Sequence, residues 1–177
     1  MKKTIIAVML ALAGLAANAQ VFVGGTMGVS TEKQSNIDRY TTFTFAPTVG
    51  YNFNDKVSAG IEFAYTYGDQ GLVSQNEILL GPYVRYNFFA PESVEGLKVF
   101  AEAAIYYNYL NLDIDGSSID GNGVQIALRP GVSYMIGSNW QVLAKMNLFS
   151  FTHMDGSSST GFGVNPTKVS FGVAYNF

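Results

Sequence analysis

The chain has 177 residues, with Lys+Arg 10, Asp+Glu 13, one histidine and no cysteine. Aromatic side chains (14%) outnumber charged ones (13%), whereas about a quarter of an ordinary soluble domain is charged, so the composition disfavours a cytosolic enzyme. Without cysteine there is no disulfide, thiolate metal site or thiol nucleophile, and the single His153 excludes a multi-histidine centre; no metal and no cofactor is expected.

Residues 1–19 read as a cleaved secretory signal peptide. Lys2 and Lys3 give a positive start, Ile5 to Ala17 an apolar stretch, and Ala17-Asn18-Ala19 a small-x-small cleavage site before Gln20. That apolar run is shorter than the roughly 20 residues of a spanning helix. The mature region, 20–177, keeps eight basic against thirteen acidic side chains, the wrong balance for phosphate-backbone binding, so nucleic acid is not an expected partner.

From Gln20 onward the apolar signal has period two, the mark of strands. The predicted strands are Val21 to Ser30, Thr41 to Phe53, Val57 to Tyr67, Glu77 to Phe88, Lys98 to Tyr109, Val124 to Met135, Gln141 to Ser150 and Thr167 to Phe177. Thr41 to Phe53 is the clearest: Phe43, Phe45, Pro47, Val49, Tyr51 and Phe53 alternate with small or polar residues. The charges inside these windows, Glu62, Glu77, Arg85, Lys98, Glu102, Arg129, Lys145 and Lys168, all share the face opposite the apolar stripe. Most glycines join them, with five aromatics: Phe22, Tyr83, Phe100, Tyr106 and Phe149. A broad uncharged face opposite a cramped polar one predicts an all-β fold, an eight-stranded antiparallel transmembrane β-barrel with lipid outside.

Every second strand carries a related ending: Pro47 to Phe53, Pro82 to Phe88, Pro130 to Ile136 and Phe171 to Phe177 each place a tyrosine two residues before a terminal apolar residue. This predicts an aromatic girdle at the periplasmic rim, with Tyr51, Phe53, Tyr86, Phe88, Tyr134 and Trp140. Short connections at Asn54 to Lys56 and Gly137 to Asn139 suit that rim, and Phe89 to Leu97 is longer than expected there. Longer polar loops are expected at 31–40, 68–76, 110–123 and 151–166 on the other side. Pro47, Pro82 and Pro130 fall inside strands, where each removes a ladder donor, and a bulge is expected at each.

The signal peptide, alternating strands, inward charges and terminal stripe together resemble the small OmpA/OmpX-like outer-membrane β-barrels of Gram-negative bacteria, including porin-family proteins. The resemblance spans the mature chain and implies a monomer of the outer membrane, in contact with its lipid. It also implies that Val169, Phe171, Val173, Tyr175 and Phe177 form the C-terminal signal read by the barrel-assembly machinery.

Glu62, Arg85, Glu102, Arg129 and Lys145 fall on five successive strands at similar depth, and Glu77 and Lys168 share their face. A network of neighbouring ion pairs plugging the lumen is the expectation, with a non-enzymatic structural or surface-interaction role and an extracellular ligand at the loops. The alternative is a narrow channel for ions or small solutes. A second alternative, a lipid-modifying hydrolase, rests on Ser150, His153 and Asp155 near the outer surface, without a nucleophile motif. Asp113 to Asp120 lacks the glycine and glutamate of a calcium-binding loop, and the aromatic stripes read as lipid-facing rather than as a carbohydrate platform.

Overall fold

The structure, a computed structural model, describes residues 20–32, 40–70, 73–115, 117–163 and 169–177. The expected signal peptide and Lys168 lie outside the described residues. Among the described residues ten strands follow one another: β1 (Val21–Glu32), β2 (Tyr40–Asn52), β3 (Val57–Gln70), β4 (Val73–Phe89), β5 (Leu97–Ile114), β6 (Ser117–Ile136), β7 (Trp140–Met146), β8 (Phe149–Met154), β9 (Ser157–Phe162) and β10 (Val169–Asn176). Each pairs antiparallel with its chain neighbour from β1 to β6; β6 pairs both β7 and β8, and β10 pairs β7 on one side and β1 on the other. The result is a closed barrel of eight walls, the seventh made of β7 then β8 and the eighth of β9 then β10. Along the closing seam β1 pairs with β10 from Phe22 to Gly28, and Phe177 N donates to the Val21 carbonyl at the turn rim.

Parity orders the wall. Residues of the apolar stripe face outward and stay exposed, as at Ile61 (54%), Ile105 (54%) and Phe171 (66%), while the opposite residues fill the interior. Eight strands enclose a space only wide enough for side chains, and the inner aromatics fit because glycine faces them. A Cβ on Gly50 would lie 2.3 Å from the Phe22 ring, and one on Gly131 2.4 Å from the Phe100 ring.

Three expectations need correction. Gln141 to Ser150 is not one strand: Gly131 pairs with Lys145 and Leu128 with Phe149, so three steps on β6 face four on the seventh wall. The extra residue reverses parity, and Phe149 and Phe151 join Leu128 and Ile126 on the outer face instead of the charged one. The prolines do not each sit at a bulge. Pro47 pairs in register with Gly25 and Pro82 with Ile61, and on their other sides the β2–β3 and β4–β5 ladders skip two residues without a shift of register. A missing N–H therefore costs a local interruption, not an inserted residue. Only Pro130 lies opposite a bulge, and that bulge belongs to the facing wall.

The third correction concerns the polar segments expected as loops. β3 and β4 remain paired to Gln70 and Val73, β5 and β6 to Ile114 and Ser117, and β8 and β9 to Met154 and Ser157. Asp155 and Gly156 turn with φ of 44° and 81°, and Asp115 with φ of 51°, the left-handed geometry that a two-residue hairpin turn requires. Past the barrel the outer face no longer meets an apolar surrounding, so the apolar alternation that marks a strand disappears while the backbone ladder continues.

No helix among the described residues is long and apolar enough to cross a membrane; the apolar band is made by strands. From Val57 to Tyr67 it spans about 25 Å at the usual rise and tilt. Ile61 sits near its middle, whereas Val84 is one outward position from the rim residue Tyr86. Ile61→Lys is expected to cost about 2 to 4 kcal/mol and Val84→Lys less. Urea unfolding in lipid vesicles reads both, and equal, negligible costs would count against lipid contact.

Candidate functional site

Two carboxylates and three cations meet at mid-lumen. Arg85, Glu102 and Arg129 lie in one register row across β4, β5 and β6. Arg85 donates to Glu102 Oε2 from Nη2 at 2.7 Å and from Nε at 3.1 Å. Arg129 Nη2 lies 2.6 Å from Glu102 Oε1 and its Nη1 2.6 Å from Glu62 Oε1. Lys145 Nζ reaches both acids, Glu62 Oε2 at 2.6 Å and Glu102 Oε1 at 3.0 Å. Tyr106 also donates to Glu62 Oε1, at 2.8 Å. Glu62 and Glu102 are buried, at 1% and 0% exposure, so their charges depend on these donors rather than on water.

The expected pairing between chain neighbours holds on only part of the belt. Glu62 pairs in register with Gly81, not Arg85, which stands opposite Ser58 nearer the rim. The stagger that closes a barrel separates them in depth, and Glu62 instead reaches across the lumen to Arg129 and Lys145. Glu77 stands apart, accepting from Asn108 Nδ2 at 2.8 Å. Lys98 lies at the turn rim, its Nζ 3.3 Å from the Asp55 carbonyl.

Aromatic rings complete the barrier, a role not evident from their position in the sequence alone. The Arg85 guanidinium lies 4.4 Å from the Phe100 centroid and 5.7 Å from that of Tyr83, and the Arg129 guanidinium lies 5.2 Å from that of Tyr106, within cation–π range. Thr48 donates to the Tyr83 hydroxyl at 3.0 Å. The signal was present as aromatics on the glycine-rich face. This septum separates a cavity of about 440 Å³ toward the hairpins, walled by hydroxyls such as Thr26, Thr44 and Thr66, from one of about 300 Å³ toward the turns, near Asn52, Lys98 and Gln141.

The other candidates are scattered. Ser150 pairs with Ala127 on the inner face, whereas His153 pairs with the outward Val124 and contacts Ser158 Oγ at 2.9 Å, so the hydrolase constellation does not assemble. Asp113, Asp115 and Asp120 spread along the β5–β6 hairpin, and no group of three potential metal ligands occurs among the described residues. Tyr51, Phe53, Tyr86, Phe88, Tyr134 and Trp140 all stand at the turn rim, where Trp140 contacts Tyr175 and Tyr175 contacts Phe177 edge to face, each at 5.1 Å between centroids. A bulge between Asn87 and Phe89 turns both Phe88 and Phe89 outward.

The family description "Outer membrane protein beta-barrel domain" matches residues 4–177. Among solved structures the chain is similar to Neisserial surface protein A, at 17% identity and TM-score 0.60, covering 89% of this chain and 97% of that one. The N-terminal β-barrel domain of Pseudomonas aeruginosa OprF gives 17%, 0.54, 89% and 98%. Ail, the attachment invasion locus protein of Yersinia pestis, gives 13%, 0.53, 89% and 98%. These likenesses concern the fold. No curated protein matches the chain at a significant level.

Glu102 is the acid shared by all three cations. Glu102→Ala is expected to destabilise the barrel by about 3 to 5 kcal/mol, because breaking a buried pair leaves charge uncompensated. Equilibrium unfolding in vesicles measures it, and an unchanged unfolding free energy would mean that water already satisfies the cations.

Proposed function

The chain belongs to the outer-membrane β-barrel family and is embedded in that membrane, and from that premise we propose a non-catalytic envelope protein whose lumen is closed and whose hairpins carry its interactions. The observation behind this reading is the septum: four buried charged side chains and the half-buried Arg129, joined by ion pairs of 2.6 to 3.0 Å, between two cavities. On this reading the turn rim faces the periplasm and the paired hairpins project outward as a monomer's surface for an extracellular ligand. Val169, Phe171, Val173, Tyr175 and Phe177 serve as the assembly signal, and residues 1–19 direct export.

The second reading, a narrow pore, is favoured by the cavities on either side, which leave one constriction to open. Three cations against two carboxylates would then favour anions. The mature chain, refolded into a planar bilayer after a boiled-versus-unboiled gel shift has established insertion, is expected to be electrically silent; reproducible current steps would replace the plug with the pore. Removal of Phe177 is expected to lower the amount of assembled barrel in cells while leaving refolding in detergent intact. Undiminished assembly in cells would remove the terminal stripe from the targeting role.

A further inference from the structure

We propose that the outward face of the paired β3–β6 extensions binds the uncharged saccharide headgroup of a glycolipid in the outer leaflet. The barrel's lipid-facing surface does not stop at the apolar band. It continues, on the same face and the same strands, into registered rows of another chemistry. Tyr67, Asn76, Asn111 and Asp120 form one row across the four strands, and Asp69, Ser74, Asp113 and Ser118 the next beyond it. Tyr65 and Tyr109 stand at the start of this zone. Because the surface is continuous with the membrane contact, its neighbour at that height is the headgroup layer of the surrounding lipid.

Its composition selects among headgroups. The outward positions carry tyrosine, asparagine, aspartate and serine, and no lysine or arginine occurs on the described parts of these extensions. Phosphate would meet carboxylates without a counter-charge. A sugar offers hydroxyls to the amides and carboxylates and apolar C–H faces to the tyrosine rings, which present large rigid area at low entropic cost. The side chains are already ordered for this. Tyr65 donates to Asn76 Oδ1 at 2.7 Å, Tyr109 to Asp120 Oδ1 at 3.1 Å, and Asn111 Nδ2 lies 2.5 Å from Asp120 Oδ1 and 2.6 Å from Ser118 Oγ.

On β5 and β6 the opposite face is apolar, with Leu110, Leu112 and Ile119 alternating with the polar set, whereas on β3 and β4 it carries Thr66, Gly68, Gln75 and Glu77.

The proposal rests on the membrane orientation given above but not on a closed lumen, so current steps in a planar bilayer would leave it standing. The full mature chain is refolded into phosphatidylcholine vesicles, alone, with digalactosyldiacylglycerol, or with phosphorylated lipid A, and insertion is checked by gel shift. The digalactosyl lipid is expected to raise the unfolding midpoint by about 3 °C or more. Y109A/N111A is expected to lose that rise, and L112A, on the other face, to keep it. Should Y109A/N111A not insert, N76A/N122A carries the same comparison, Asn122 being the register partner of Tyr109 on β6. No rise, an equal rise in the double variant, or a rise with lipid A alone would overturn saccharide recognition; a wild-type chain that never inserts would overturn the membrane premise with it.

Discussion

Closing eight strands leaves an interior barely wider than the side chains that line it, and most of the inner structure follows from that narrowness. Bulk can enter only where the facing wall gives it up, so Phe22 lies over Gly50 and Phe100 over Gly131. Charge can enter only if it finds its partners without water, so Glu62 and Glu102 are saturated by donors from β4, β5, β6 and β7. The same ion pairs cross the lumen and tie walls that share no backbone ladder, as between Glu62 on β3 and Lys145 on β7. The belt thus braces the barrel transversely as well as filling it.

Much of this was legible because a strand's two faces alternate strictly, and a charge such as Glu102 or Lys145 cannot lie on the lipid side of a membrane wall without large cost. Parity alone sent the belt residues inward and Ile61, Val84 and Phe171 outward. What parity does not carry is depth. The stagger between β3 and β4 moved Glu62 away from Arg85, and that stagger is a property of closure, not of any one segment.

Two other features were hidden for local reasons. The bulge before Phe149 inserts a single residue, which leaves both halves of the wall correctly alternating and only their mutual phase wrong. The hairpins beyond the barrel lost their apolar outer stripe, and with it the signal by which strands are recognised, although the backbone pairing persists to Ile114 and Ser117. Apolar periodicity reports the surroundings of a strand as much as the strand itself.

The short seam between β1 and β10 has a mechanical consequence. Both strands end at the same rim, the first beginning at Val21 and the last finishing at Asn176. A tether pulling the two ends apart would load the backbone hydrogen bonds one after another, as a zipper opens, rather than all together in shear. The wall that completes the cylinder is therefore the one most readily peeled by force applied at Val21 and Phe177, and the bond from Phe177 N to the Val21 carbonyl would be the first to carry the load.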